Sequence, residues 1–286
     1  MKIIQQFITK DDSYQKNLNA AALAENGDKR YQTFQTRGPL GLMLHSVGCN
    51  QPSAKSFADR WNQPGREASV HAVLQADGTV YQCMPWNFRA WHCGGDASNT
   101  HVGVEMTEPG CIHYPDGGSR FTCSDPEAAK EQVRGTYNTA AELFAHLCRQ
   151  YKLDPMTAII SHAEGNKKGI ASNHGDPEHL WNGLGMGYTM DGFRKEVKRR
   201  MEDEMTREDV QKMIDTSTKS LDDKIASLTK ELKTVRADLD KLVKKFNDYR
   251  PIVSESLKSV KKNAVDKAVT KAKEYCDKQL AKLKGK

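Results

Sequence analysis

The sequence predicts an α/β domain, a mixed central β-sheet flanked by helices, followed by an extended α-helical coiled-coil C-terminal region. Three observations carry this. Short apolar runs at 41–44 and 157–161 interleave with helical patterns, the alternation expected when helices cover a sheet. Asp77-Gly78 joins two strand-like segments, a hairpin signal that makes the sheet mixed. Beyond residue 205 the apolar positions fall on a 4-3 spacing in a polar background, the signature of a coiled-coil seam.

Taken in order, residues 1–38 are polar and irregular, with one short helix near 15–25. Gly38-Pro39 is a turn that feeds a short buried strand, Gly41-Leu42-Met43-Leu44, ending at His45. Pro52-Ser53 opens a helix through Trp61, with Ser53 as its N-cap, and Pro64-Gly65 stops it. The hairpin 69–83 follows, then a loop rich in aromatics and glycine from Trp86 to Gly95. His101 to Met106 alternates like a strand. Residues 109–124 read as a long loop. Asp125-Pro126 starts a helix to Tyr151, with Val133, Tyr137, Ala140, Phe144 and Leu147 on one face. The run 157–161 is a buried strand delivering His162. A loop from 162 to 181 and a helix from Asp191 to Arg200 complete a domain spanning 1–200.

Residues 201–286 differ in texture. Leu221, Ile225, Leu228, Leu232, Val235, Leu239, Leu242, Phe246 and Tyr249 form an unbroken heptad seam that Arg250-Pro251 breaks. Such a seam predicts a homo-oligomer. This region holds 21 Lys/Arg against 16 Asp/Glu, so most of the net +6 charge lies here. A modest basic tail favours anionic partners without choosing among them. The apolar fraction of 37% is low for one compact globule and fits a normal domain joined to a polar, elongated one. No run approaches the roughly 18 apolar residues of a membrane span. The first seven residues lack the apolar core of a signal peptide, so synthesis in the cytoplasm is expected. Seven cysteines, odd in number and without a CxxC pair, read as reduced thiols.

Chemistry concentrates between Ser161 and Trp181, where three imidazoles and three carboxylates crowd one strand end and one loop. A catalytic zinc takes three protein ligands and leaves one position open. His45, His162 and Asp176 are the expected set, because both histidines end apolar runs and Asp176 lies on a loop able to fold back. Glu105, on the opposite face of its strand from Val102 and Val104, is the expected base. His174, two residues before Asp176, is placed to act as an electrophilic imidazole, with Lys167 and Lys168 as alternatives. Glu164 and His179 are either partners orienting the ligands or surface residues. Cys111-Ile112-His113 is too weak a metal signal to use.

The order of strand-His45, Ser69-Val70-His71, Ala90-Trp91-His92, Asn99 with Val102-Gly103-Val104-Glu105, Ser161-His162 and Asp176-Pro177 resembles the zinc-dependent type 2 N-acetylmuramoyl-L-alanine amidases, which include peptidoglycan recognition proteins and phage endolysins. The resemblance spans roughly residues 35–185. The loop 171–179 is similar to the prophage amidases of Gram-positive bacteria. The resemblance implies hydrolysis of the amide between the muramic acid lactyl group and L-alanine. It implies Zn2+ on His45, His162 and Asp176, Glu105 as base and a structural His71. The family often has Lys or Thr where His174 stands. Trp91 and His92, on a glycine-rich rim, are the expected substrate contacts. The partners implied are bacterial peptidoglycan and, through the basic tail, anionic wall polymers, not nucleic acid. A cytoplasmic product would reach the wall after holin-type release. Two other readings stay open: a non-catalytic peptidoglycan-binding module on a coiled-coil stalk, and a zinc peptidase acting within the stem peptide.

Overall fold

The structure, a computed structural model, describes residues 1–203, 207–249 and 254–284. The chain divides into two compact units, Met1–Glu204 and Met205–Lys286. The first contains eight strands: β1 (Lys2–Gln5), β2 (Gly41–Ser46), β3 (Ala72–Leu74), β4 (Thr79–Gln82), β5 (His101–Met106), β6 (Ile112–His113), β7 (Thr122–Cys123) and β8 (Ile159–Ser161). Its helices are α1 (Asp12–Leu18), α2 (Ala20–Glu25), α3 (Arg30–Arg37), α4 (Ala54–Trp61), α5 (Pro126–Tyr151), α6 (Pro155–Ala158), α7 (His162–Lys167), α8 (Glu178–Gly183) and α9 (Met190–Asp203).

Six strands form one mixed sheet in the order β1-β4-β3-β5-β2-β8, and β6 and β7 pair separately. β3, β5, β2 and β8 run parallel, while β4 and β1 run the other way. The alternation of side chains across each strand sorts them onto two faces. Leu42, Leu44, Val102, Val104, Ala72 and Leu74 pack into one core with Phe144 and Leu147 of α5, Trp181 of α8 and Phe193 of α9. On the other face Val73 joins Phe57 of α4, and Met43 and Ile160 meet Cys93 and Ala97. This second face turns polar at the carboxyl ends of the parallel strands, where open α/β sheets bind their ligands.

Several local features follow the sequence closely. Asp125 accepts a hydrogen bond from the Ala128 amide and Pro126 takes the first turn of α5. Ser53 caps α4 through the Ser56 amide. The hairpin between β3 and β4 turns at Gly78, whose φ of +86° suits glycine. Other features differ. β1 pairs in parallel with β4 in a stretch expected to be irregular. The expected helix near 15–25 is two, α1 and α2, and α3 follows it. The interval 162–181, expected as a loop, contains α7 and α8. α7 begins at His162 with a reciprocal capping box between Ser161 and Glu164.

The second unit holds α10 (Arg207–Tyr249) and α11 (Ser254–Lys284), which pack against one another. Lys261 of α11 pairs with Asp240 of α10. Val243 is buried, whereas the seam residues Ile225, Leu228, Val235 and Leu242 are exposed. The expected break at Arg250-Pro251 lies outside the described residues. No helix among the described residues is long and apolar enough to cross a membrane.

Candidate active site

The in-register pairing of β2 with β5 sets His45 opposite Glu105, so both side chains emerge together at the polar end of the sheet. The pairing of β2 with β8 sets Leu44 opposite Ser161, and the next residue, His162, opens α7 beside His45. Asp176 comes from the loop before α8, where its Oδ2 accepts from the Ser46 amide at 3.3 Å. These elements converge on a cleft of about 890 Å³ lined by His45, Glu105, His162, His174, Asp176 and Trp91, among others.

The three donors are buried: His45 is 1% exposed, His162 4% and Asp176 7%. His45 Nδ1 lies 3.1 Å from His162 Nδ1 and 3.3 Å from Asp176 Oδ2. His162 Nδ1 lies 3.4 Å from Asp176 Oδ1. A tetrahedral zinc with ligands at about 2.0–2.1 Å holds its donor atoms about 3.4 Å apart. The side chains therefore already stand at the spacing a zinc ion requires, and the donor set of two imidazoles and one carboxylate suits it. Among the described residues this is the one group of three or more potential ligands close enough to share an ion.

Electrostatics fit the same reading. Burial, the largest influence, pushes the His45 pKa down, but the hydrogen bond to Asp176 and the charge of Glu105 outweigh it and hold the ring's proton more tightly than usual. Burial and the neighbouring His45 lower His162 to about 4. Burial opposes ionisation of Asp176, yet the two imidazoles keep it below the ordinary carboxylate range. A cation at the shared point would take over the role the His45 proton plays here.

Glu105 is half-buried in the cleft wall, and desolvation raises its pKa to about 8, with His45 opposing and Asp176 adding to the rise. Its Oε2 is buried and has no hydrogen-bond partner within the protein. A carboxylate that lines a polar cleft and has one oxygen without a protein partner is suited to exchanging a proton with a bound water.

The remaining site residues fall into place as follows. His174 is exposed on the cleft wall and lies tilted against His162, with ring centroids 4.5 Å apart and planes 36° apart. The Ser172 hydroxyl lies between them, 3.1 Å from His162 Nε2 and 3.0 Å from His174 Nδ1. Lys167 and Lys168 are not among the cleft-lining residues and instead border a separate depression with Met156 and Arg194. Trp91 is exposed at the cleft mouth, with Lys16 Nζ 5.5 Å from its ring. His92, expected at the rim beside it, is half-buried, with both ring nitrogens engaged inside the protein. His71 is wholly buried: Nε2–H donates to Phe88 O at 2.7 Å and Nδ1 accepts from the Gly103 amide at 3.0 Å. Glu164 caps α7 and pairs with Arg194 at 2.9 Å.

Some contributors are not singled out by the sequence analysis above. Glu108, fully buried, accepts from the Gly48 amide at 3.1 Å and from the Tyr114 hydroxyl at 2.6 Å. The same hydroxyl lies 2.9 Å from His179 Nε2, which ties the 109–124 segment to α8. Ser172 was equally silent. The pattern Glu105-Met106-Thr107-Glu108 places two carboxylates three residues apart around a strand end, and that pair was the available clue to Glu108.

A sheet that delivers two histidines and an aspartate at metal-ligand spacing, with a half-buried glutamate on the adjoining strand, defines a candidate hydrolase site at the switch from strand to loop. The profile of the N-acetylmuramoyl-L-alanine amidase family matches residues 35–179, and the chain belongs to that family. No curated protein matches it. Among solved structures it is similar to the Staphylococcus aureus hydrolase AmiA in complex with its ligand, at 17% identity over 57% of this chain and 73% of that one, with a TM-score of 0.44. It is also similar to the catalytic domain of XlyA, at 18% identity over 69% and 99% with a TM-score of 0.44. A third is the N-acetylmuramoyl-L-alanine amidase LysC from Clostridium intestinale URNW, at 16% identity over 51% and 85% with a TM-score of 0.30.

Proposed function

We propose that residues 1–200 form a zinc-dependent peptidoglycan hydrolase that cleaves the amide between the N-acetylmuramic acid lactyl group and the L-alanine of the stem peptide. The observation that carries this is the 3.1–3.4 Å spacing of His45, His162 and Asp176 beside the unpartnered Glu105 oxygen. His45, His162 and Asp176 hold the ion, which when bound supplies Lewis acidity toward a carbonyl and makes water more acidic. Glu105 accepts the proton of the attacking water and returns it to the departing amine. His174, at the cleft wall, donates to the oxygen on which negative charge develops. Trp91 offers an apolar face to the glycopeptide at the cleft entrance.

The tail serves the same end. The exposed seam of Ile225, Leu228, Val235 and Leu242 supports self-association, and several linked catalytic units gain avidity for an insoluble polymer. The Lys-rich stretch 251–286 complements anionic wall polymers. We read the whole as an endolysin-type lytic enzyme. Mass spectrometry of purified cell walls digested by the full chain tests the assignment. Intact stem peptides with a free L-alanine amino terminus support it. Cuts within the peptide point to a peptidase instead, and binding without any release points to a non-catalytic module.

A further inference from the structure

His92 has a geometry that the proposed reaction does not use. Its Nε2 lies 3.1 Å from the carbonyl oxygen of His101, at the start of β5. A carbonyl only accepts, so Nε2 carries the proton and the neutral ring presents a lone pair at Nδ1. That Nδ1 lies 2.9 Å from His45 Nε2. Two lone pairs cannot bond, so His45 Nε2 is the donor. The direction of both hydrogen bonds follows from one backbone carbonyl.

The consequence falls on the opposite side of the His45 ring. With Nε2 protonated and committed to His92, Nδ1 is the atom left to bind a cation, and Nδ1 is the nitrogen facing His162 and Asp176. The two rings meet edge to face, 80° apart with centroids at 5.1 Å. The fit of His92 behind them is tight, because a Cβ on Gly103 would stand 2.4 Å from His92 Cγ. Gly103 is itself held by His71, through the Gly103 amide to His71 Nδ1 at 3.0 Å and the His71 amide to the Gly103 carbonyl at 3.0 Å.

We propose that His92 is a positioning residue for the metal centre: by accepting a hydrogen bond from His45 Nε2–H it locks that ring in the tautomer and orientation that aims Nδ1 at the ion. Partners of this kind, which hold a ligating imidazole from behind, typically change metal affinity 10–100-fold when removed. The inference rests on the reading that His45, His162 and Asp176 bind zinc.

The test uses the full chain and zinc itself, with affinity measured by competition against a chromophoric chelator. His92→Phe fills the space without an acceptor and is expected to weaken zinc binding 10–100-fold. His92→Asn can place a carbonyl oxygen where Nδ1 stands and is expected to restore most of that affinity. Nitrogen NMR of the metal-free parent, at alkaline pH where the ring is neutral, is expected to show His45 protonated at Nε2. A purely packing role for His92 would not fix that tautomer. Parental zinc affinity in His92→Phe, or His45 protonated at Nδ1, overturns the proposal. The NMR arm decides it even if the variants fail to fold. A parent that binds no zinc would instead overturn the metal-site reading on which it rests.

Discussion

Gly103→Ala subjects the core of the site to the smallest possible steric change. The added Cβ would sit 2.4 Å from His92 Cγ, 2.6 Å from Nδ1 and 2.8 Å from Cδ2. Carbon atoms rest at about 3.5–4.0 Å, so the overlap is roughly 1 Å against an aromatic ring. The ring cannot swing aside without releasing His45 or His101, since each of its nitrogens is bonded. The strand cannot retreat either. Gly103 pairs with Met43 of β2 and is bonded to His71 through both amide and carbonyl. Overpacking of this kind costs about 1–3 kcal/mol, and loss of the His45–His92 bond adds about 0.5–1.5 kcal/mol, so about 1.5–4.5 kcal/mol is expected. Urea denaturation of parent and variant measures it, with Gly118→Ala as the control. Gly118 has nothing within 4 Å of its ideal Cβ, and its replacement is expected to stay within about 0.5 kcal/mol of parent. If Gly103→Ala were as stable as Gly118→Ala and kept the parental zinc affinity, the claim that His92 is locked in place would be wrong.

Three further outcomes are expected. Glu105→Gln keeps the shape but not the basicity, so kcat on cell walls should fall about 10²–10⁴-fold with zinc content unchanged; parental turnover would remove Glu105 from the chemistry. Ser172→Ala deletes the hydroxyl between His162 and His174. At about 0.5–1.5 kcal/mol for one neutral hydrogen bond, kcat should drop roughly two- to thirteenfold with KM steady, and a change confined to KM would count against a role for Ser172 in holding His174. Burial lowers the His71 pKa to about 4 from its ordinary 6.5, so the folded state prefers the neutral ring. That contribution, on the order of 3 kcal/mol, is fully present above pH 6.5 and is lost as pH falls toward 4. An NMR titration of the His71 ring checks this, and protonation near pH 6.5 in the folded protein would contradict it.

What could be read from the sequence was whatever declares itself by local pattern. β2, β5 and α5 have apolar periodicity and caps strong enough to stand alone, and the Asp77-Gly78 turn announces its hairpin. His45, His162, Asp176 and Glu105 were legible because apolar runs lead to three of them and a motif order flanks them all. β1 was not, because Lys2–Gln5 is a mostly exposed edge strand without alternation, defined only by its pairing with β4. α3 hides for a similar reason: it is polar, and only Tyr31 and Phe34 face inward. His92 was visible as a residue but its surroundings were not. Its partners lie on two other strands, and nothing local tells a rim histidine from one seated behind His45. Glu108, Tyr114 and Ser172 depend in the same way on contacts that exist only once the chain has folded.

The central place of β2 in the sheet bears on how the enzyme comes into being. Its neighbours are β5 on one side and β8 on the other, so the residues around the candidate ion are gathered from distant parts of the chain. The bond between the His45 and His162 rings spans 117 residues, and that from Ser46 to Asp176 spans 130. Closing such long loops precedes any reward from the contacts they bring. During synthesis the first histidine waits without its partners until β8 has added to the sheet and the loop after it has turned back. No early fragment ending before Asp176 owns the full set of donors. On the proposed metal reading, hydrolytic competence arrives with the completed domain, and zinc uptake by a growing or refolding chain would be a direct clock for that last step of assembly.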